Sequence, residues 1–237
     1  MKNQNLRTAM LLGDHAIDIL AQKHVAVFGL GGVGSFCAEA VARAGIGKLT
    51  LVDDDVVSES NINRQLIALH STIGMQKAEV MAARLRDINP DIKLRVINAR
   101  YEADTREDFF SEPLDYIADA IDSVTSKIDL ICTALDRTIP IISSMGTGNK
   151  LDPSKFVITD LSKTSGCPLA RVMRRELKNR GIFHHTVLYS EEPPLKPKLM
   201  DDAPPGKHTV PGSVSWVPSC AGLMIAGHII QDLLRTE

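Results

Sequence analysis

The sequence predicts an α/β protein whose centre is a doubly wound, mostly parallel β-sheet. Two observations predict this fold class. Short apolar runs that suit buried strands alternate with amphipathic segments that suit helices, up to about residue 149. A glycine-rich turn also lies between the first of these strands and the helix after it, which is typical of a Rossmann-like sheet. The alternation stops after Lys155, where we predict a C-terminal α+β extension packed on the sheet.

The first strand, turn and helix form the part of the chain around which the rest is arranged. Apolar residues at helical spacing before the strand predict short helices within Leu6 to Leu20. The strand is predicted at Val25 to Phe28 and the helix at about Ser35 to Ala44. A second buried strand, Lys48 to Val52, ends at the carboxylate of Asp53.

The remaining elements of the first half continue the alternation. The helix that begins near Lys77 ends at Asn89, because the residue before Pro90 is disfavoured in helical geometry. After it we predict a strand at Lys93 to Asn98, a short helix at Arg106 to Ser111, a strand at Leu114 to Ile121, a helix at Val124 to Asp136 and a strand at Ile139 to Ser143.

The second half has a different pattern, and we place a boundary between residues 152 and 153. A proline-rich stretch, Glu191 to Gly212, predicts a long loop of a kind that is functional or mobile. Around it we predict strands at Phe156 to Leu161, Thr186 to Tyr189 and Val214 to Val217, and helices at Pro168 to Arg180 and Ala221 to Leu234.

Composition excludes several classes of protein. The chain has 237 residues, of which 44% are hydrophobic, so it can bury a sizeable core, and its net charge of −2 gives no global attraction to nucleic acid or anionic lipid. The four cysteines form no CxxC pair, which disfavours a disulfide framework and a four-thiolate zinc site. Polar residues interrupt the apolar stretch Ser213 to Leu234, and the N-terminus lacks a signal-peptide pattern. We therefore expect a cytoplasmic protein with no membrane partner and no zinc.

The glycine turn predicts a phosphate-binding site. Gly29, Gly31 and Gly34 match GxGxxG, in which glycines let the backbone approach a pyrophosphate and the helix N-terminus offers free N–H groups. Asp53 stands where a ribose hydroxyl would need an acceptor. Taken alone, this motif most often indicates NAD or FAD.

The residues after Asp53 shift the prediction towards a triphosphate. A polar loop holding Arg64, followed by Lys77 at the start of a helix, would bring two cations to the phosphate-binding end of the sheet. Cations there suit charge that develops on a triphosphate, whereas hydride transfer has no such requirement. Asp122 follows another strand at the same end and is most simply a magnesium ligand.

The helix at Pro168 to Arg180 carries a basic face. Its apolar residues fall on one side, and four cations gather on the other: Arg171, Arg174, Arg175 and Lys178. These cations could hold the phosphate backbone of a nucleic acid. A solvated helix face explains the same pattern, and the charges alone leave both explanations open.

The chain resembles the ThiF/MoeB/E1 superfamily of ATP-dependent carboxylate-activating enzymes over about Arg7 to Asn149. The motifs are GLGGVGS at Gly29 to Ser35, the LVDDD segment, SNINRQ at Ser60 to Gln65, Gly74 with Gln76-Lys77, and DAIDS. The resemblance implies that residues 1–152 are an ATP-binding domain and 153–237 an extension for substrate binding and dimerisation. It implies ATP and Mg²⁺ as cofactors, with Arg64, Lys77 and Asp122 catalytic. The implied ATP-binding residues are Gly29, Gly31, Gly32, Gly34, Asp53, Asp55, Ser60, Asn61, Asn63, Arg64, Lys77, Asp122 and Ser123, with Asp122 on magnesium.

Within this superfamily the second half is most similar to the tRNA threonylcarbamoyladenosine dehydratase branch. The similar segments are TSGCPLARVMRRELKNRGI at Thr164 to Ile182 and PGSVSWVPSCAG at Pro211 to Gly222. The resemblance implies ATP-dependent activation of the threonyl carboxylate of t6A in tRNA, followed by closure to the cyclic form, ct6A. It also implies a homodimer and tRNA as the partner.

Two other functions fit the same residues. The first is an adenylyltransferase that activates the C-terminal glycine of a ubiquitin-like sulfur-carrier protein, as ThiF and MoeB do. The second is a nucleotide-regulated binding module that partners a cysteine desulfurase system. The set of Arg64, Lys77 and Asp122 argues against the binding module, since binding alone seldom needs all three.

Overall fold

The computed structural model describes residues 3–196 and 211–235, and a single β-sheet runs through the first of these ranges. Its seven strands are β1 (His24–Phe28), β2 (Lys48–Val52), β3 (Lys93–Ile97), β4 (Tyr116–Asp119), β5 (Ile141–Ser144), β6 (Phe156–Asp160) and β7 (Thr186–Ser190). They lie in the order β3-β2-β1-β4-β5-β7-β6, and every pair is parallel except β6 with β7. The predicted doubly wound, mostly parallel sheet is confirmed.

Helices cover both faces of the sheet. They are α1 (Leu6–Leu12), α2 (Asp14–Leu20), α3 (Gly34–Arg43), α4 (Lys77–Ile88), α5 (Arg106–Phe109), α6 (Val124–Asp136), α7 (Pro168–Lys178) and α8 (Trp216–Arg235). One core cluster joins α2, α3, α4 and α8 to the sheet. A second cluster joins α5, α6 and α7 to it. Central strands buried on both sides explain the continuous apolar runs of the sequence.

The sheet continues across the boundary placed at 152/153. Strand β7 pairs with β5 of the first half, and β6 adds an antiparallel edge beyond it. Helix α8 packs along α3, and both helices belong to the same core cluster. The predicted C-terminal α+β extension is therefore attached through shared strands and a shared core.

The predicted strand at Val214 to Val217 is wrong, because α8 already begins at Trp216. Pro218 lies in the first turn of α8. The first four N–H groups of a helix have no partner within it, so proline is tolerated in its first turn. Residues 197–210 of the predicted proline-rich loop lie outside the described residues.

Helix α8 is long and apolar enough to cross a membrane by length and composition. In this fold half of its most apolar window is buried within the protein. The buried side includes Val217, Ala221, Ile225 and Ile229, which pack into the core beside α3. Its apolar character is thus explained by its position over the sheet.

Two glycines of α8 give a matched test of this packing. A Cβ atom at Gly222 would overlap the carbonyl oxygen of Val33 and lie 3.0 Å from the Cys37 nitrogen, whereas a Cβ atom at Gly227 would meet nothing within 4 Å. We expect Gly222→Ala to lower the free energy of unfolding by about 1–3 kcal/mol through overpacking. Gly227→Ala should raise it by up to about 1 kcal/mol through helix propensity. Urea denaturation of both variants measures the difference, and equal effects would contradict the close contact of α8 with α3.

Candidate functional site

A cleft of about 730 Å³ opens at the carboxyl ends of the parallel strands, where open α/β sheets bind ligands. Ten of the predicted ATP-binding residues line it: Gly29, Gly31, Gly32, Asp53, Asp55, Asn61, Arg64, Lys77, Asp122 and Ser123. The fold thus gathers side chains that lie nearly 100 residues apart in the chain. The other three predicted residues lie beside the cleft and contact residues that line it: Gly34 packs against Gly29, and Ser60 and Asn63 accept hydrogen bonds from Arg64.

The glycine turn is shaped by close backbone packing. Gly29 has a φ of +84°, and a Cβ atom there would lie 2.7 Å from the carbonyl oxygen of Ala120. A Cβ atom at Gly34 would collide with the carbonyl group of Gly29. Gly34 is the first residue of α3, so its part is to let the helix start directly against the end of β1. The first turn of α3 can then present its free N–H groups to an anion.

Asp53 fixes this turn to the end of β2. One carboxylate oxygen accepts a hydrogen bond of 2.6 Å from the Leu30 N–H, and the other accepts one of 2.9 Å from the Asp55 N–H. Burial raises the pKa of Asp53 above its usual value, although both N–H groups and nearby Lys77 favour the carboxylate. Asp53 therefore organises the loop, besides standing where an acceptor for a ribose hydroxyl was predicted.

Lys77 is buried at the start of α4 and faces two carboxylates. Its Nζ atom lies 2.6 Å from Asp55 Oδ2 and 3.8 Å from Asp53 Oδ1. The Asp55 side chain is largely exposed, so water can solvate its carboxylate if Lys77 turns to another anion. An anion in the cleft can thus share Lys77 without leaving a buried carboxylate unpaired.

Arg64 is held in the cleft by the polar loop around it. Its Nη1 atom donates to the Ser60 carbonyl oxygen at 2.9 Å and to Asn63 Oδ1 at 2.8 Å. Asn63 in turn donates from Nδ2 to the carbonyl oxygen of Ser213 at 3.0 Å. Ser60 and Asn63 thus orient the arginine and tie this loop to the segment before α8.

Asp122 lies exposed in the cleft, on a loop that a buried network fixes. Asp119 Oδ1 accepts from the Ile121 N–H at 3.1 Å, while Oδ2 receives Lys127 Nζ at 2.8 Å and the Ser143 hydroxyl at 2.6 Å. Asp119 and Lys127 are fully buried. Such a pair is costly to break, because removing one partner leaves a buried charge uncompensated. The network therefore holds the backbone just before Asp122 in one position.

His185 completes the network from β7. Its Nε2 atom lies 2.8 Å from Ser143 Oγ. Since the single Ser143 proton is donated to Asp119, the hydroxyl oxygen accepts from His185, and the neutral ring carries its proton on Nε2. Burial lowers the pKa of His185 to about 4.

Several residues of the cleft were not predicted as site residues. Ala99, Arg100 and Tyr101 follow β3, and their position after a parallel strand was a usable signal. Gln65 was part of the SNINRQ motif, and its buried Oε1 atom has no hydrogen-bond partner among the described residues. Other lining residues that were not predicted as site residues come from distant parts of the chain; among them are Ser126, Thr147, Ser213 and Pro218.

The four basic residues of α7 do not line this cleft. Arg174 donates from Nη1 to the Thr164 carbonyl oxygen at 2.8 Å and to the Thr164 hydroxyl, and Arg175 pairs with Glu176 at 2.9 Å. Arg171 and Lys178 are exposed. Two of the four cations are thus engaged within the protein, and the tRNA-binding role of this face stays a prediction.

Comparisons with known proteins agree with this geometry. The model of the ThiF family matches residues 3–237. The chain is 43% identical to the tRNA threonylcarbamoyladenosine dehydratase of Bacillus subtilis, covering 99% of this chain and 96% of that protein. The crystal structure of the Escherichia coli tRNA N6-threonylcarbamoyladenosine dehydratase TcdA in complex with ATP superposes with a TM-score of 0.89 at 35% identity, covering 98% of this chain and 94% of that one. The sulfur carrier protein ThiS adenylyltransferase of E. coli is more distant, at 34% identity over 60% of this chain and 58% of that protein.

The buried neutral His185 makes stability depend on pH. Its folded-state pKa of about 4 lies below the ordinary 6.5, so the unfolded chain binds the proton first and stability is lost as pH falls from about 6.5 towards 4. A shift of this size corresponds to roughly 3 kcal/mol. Urea unfolding of His185→Gln, which keeps a donor for Ser143, should show a weaker loss over this window. His15→Gln, at an exposed position of α2, should behave as the unsubstituted protein. The same acid loss in His185→Gln would contradict the assignment.

Proposed function

The chain belongs to the ThiF family, and we propose that it is an ATP-dependent tRNA threonylcarbamoyladenosine dehydratase that converts t6A to ct6A. The observation that carries this proposal is the cleft itself. It brings the glycine turn, Arg64, Lys77 and Asp122 together, in a chain that is similar to such dehydratases over almost its whole length. The match to the sulfur-carrier adenylyltransferase covers a smaller part of the chain.

The reaction needs a carboxylate to become an electrophile. Transfer of AMP (or phosphate) from ATP to the threonyl carboxylate gives a mixed anhydride. The carbamoyl oxygen of the same side chain then attacks the acyl carbon, the nucleotide or phosphate leaves with the former carboxylate oxygen, and the ring nitrogen loses a proton. Both reacting groups are in one side chain, so proximity favours closure without a protein nucleophile.

The residues of the cleft suit the first of these steps. The glycine turn and the start of α3 would bind the phosphates, with Asn61 and Ser123 in the walls beside them. Arg64 and Lys77 would stabilise the negative charge that develops on the phosphates as the carboxylate attacks. Asp53, already positioned by two backbone N–H groups, would accept from the ribose.

Asp122 suits magnesium. Mg²⁺ prefers oxygen ligands and is usually held by one or two carboxylates together with substrate phosphates and water. Asp122 offers one exposed carboxylate in the wall of the cleft, and no group of three or more His, Cys, Asp or Glu side chains in the described ranges is placed to hold a metal by itself. Bound magnesium would offset charge on the phosphates, while Asp122 would fix its position.

The family resemblance also supports a homodimer and contact with tRNA. Met10 and Leu11 of α1 are exposed apolar side chains that a second copy could cover. Arg171 and Lys178 of α7 are exposed cations that could meet RNA phosphates. The proposed dimer contact and tRNA contact thus involve surface residues outside the cleft.

Incubation with ATP, Mg²⁺ and t6A-containing tRNA tests the function directly. We expect nucleoside mass spectrometry under mild conditions to show ct6A, formed together with AMP and pyrophosphate or ADP and phosphate. A sulfur-carrier protein with a C-terminal Gly-Gly serves as the competing substrate. Pyrophosphate exchange that requires this protein and ignores tRNA would favour the adenylyltransferase and refute the dehydratase.

Alanine substitutions test the assigned residues. We expect Arg64→Ala, Lys77→Ala and Asp122→Ala each to lower turnover by about 10²–10³-fold, because each removes charge stabilisation or metal positioning in the cleft. Arg86→Ala, at an exposed position of the same helix as Lys77, is the control and should leave turnover unchanged. Circular dichroism and thermal unfolding check that the folds are intact. Normal turnover in one of the three variants would remove that residue from the mechanism.

A further inference from the structure

Trp216 is the single tryptophan of the chain and the first residue of α8. Its indole Nε1 donates a hydrogen bond of 2.8 Å to the carbonyl oxygen of Leu151. Even so, the residue is 49% exposed. The hydrogen bond uses the edge of the ring and fixes its orientation, so that a large flat apolar surface remains open to solvent.

The ring lies beside the nucleotide cleft, near the end of β5, because its hydrogen-bond partner Leu151 follows that strand. The cleft runs across the sheet from the end of β3, at Ala99 to Tyr101, to the end of β5, at Thr147. Ser213 and Pro218, on either side of Trp216 in the chain, both line the cleft. Ser213 follows Gly212, which pairs with Asn149 after β5, whereas Pro218 lies against Gly32 of the glycine turn. Three residues span at most roughly 11 Å, so Trp216 lies within that distance of the wall formed by Ser213.

The segment that carries Trp216 is tied to both sides of the cleft. Asn63, beside Arg64, donates to the carbonyl oxygen of Ser213. On the other side the Asn149 N–H donates to the carbonyl oxygen of Gly212 at 2.7 Å, and the Gly212 N–H donates to Asn149 Oδ1 at 2.7 Å. The ring is therefore held by rigid neighbours, as a preformed binding surface requires.

We propose that Trp216 is the stacking surface for the modified purine of the substrate tRNA. This inference rests on the proposed function. The predicted ribose acceptor, Asp53, lies towards β3, and the phosphate-binding turn lies over β1. ATP bound in this direction occupies the β3 side of the cleft. The substrate carboxylate that attacks the phosphate must therefore enter from the β5 side, where Trp216 lies. The purine that carries this carboxylate must leave its own stack in the RNA loop to reach a protein cleft. An aromatic ring replaces the lost stacking without demanding a particular sequence.

Because no other residue is a tryptophan, fluorescence excited at the red edge of the indole band, where tyrosine does not absorb, reports this ring alone. We expect quenching when a t6A-containing anticodon stem-loop is added, with emission excited at the red edge of the indole band and corrected for absorption by the RNA. The matched control is the same stem-loop with an abasic nucleotide in place of t6A, which keeps the phosphates and should quench little. ATP alone should also quench little, since its adenine would lie towards the β3 end.

Steady-state kinetics test the contribution of the ring. Stacking of one base on an aromatic side chain contributes about 1–3 kcal/mol, which corresponds to about 5- to 150-fold in affinity. We expect Trp216→Leu to raise the KM for t6A-containing tRNA within this range and to leave the KM for ATP unchanged. Trp216→Phe, which keeps an aromatic face and loses the hydrogen bond to Leu151, should recover most of the loss. Phe183→Leu removes another exposed aromatic ring, three residues before the amino end of β7, and should match the unsubstituted protein.

Each outcome decides between distinct explanations. If the unsubstituted protein forms no ct6A, the proposed function fails. If it forms ct6A and Trp216→Leu has an unchanged KM for tRNA, the stacking inference alone fails. Equal quenching by the abasic stem-loop would assign the contact to the RNA backbone and overturn the inference. Emission that changes with protein concentration in the absence of RNA would show that a second copy covers the ring, which also overturns it.

Discussion

The geometry of the cleft depends on a single carboxylate at the end of β2. Asp53 accepts one backbone hydrogen bond from the glycine turn and another from the loop that follows, and it lies beside buried Lys77. Three stretches of chain that would otherwise move independently thus share one anchor. Burial disfavours the charge on Asp53, and the two N–H groups and Lys77 offset part of that cost. The anion site of the turn and the cation of α4 are consequently set by the same group.

Much of the fold could be predicted from local pattern. Strands β1 and β2 and helices α3, α4 and α6 lie within a few residues of their predicted bounds, because continuous apolar runs and a 3.6-residue period report burial directly. The predictions failed where local pattern and tertiary packing disagree. A strand was predicted at residues 214–217, but α3 offers a surface on which a helix starting at Trp216 can bury Val217 and Ala221.

The same distinction applies to the site: some of its residues could be predicted from local pattern, and others depend on tertiary packing. Gly29, Asp53 and Asp122 could be placed because each follows a strand at the ligand-binding end of the sheet, and Lys77 because it begins a helix there. Arg64 could be placed because it lies in the polar loop between β2 and that helix. Sequence could not show that Gly34 also has a packing role, because that depends on its contact with the Gly29 carbonyl group. Nor could it place Ser213 and Pro218 in the wall of the cleft, since nothing local links them to a turn nearly 200 residues earlier in the chain.

The attachment of α8 to α3 also bears on how the protein is made. A ribosome completes the glycine turn, the polar loop and Asp122 long before it reaches Trp216. Until then the face of α3 that receives α8 lacks its cover, and the wall of the cleft formed by Ser213 and Pro218 does not exist. A nascent chain therefore carries the phosphate-binding residues without a closed site. The wall of the cleft is thus complete only when α8 packs against α3.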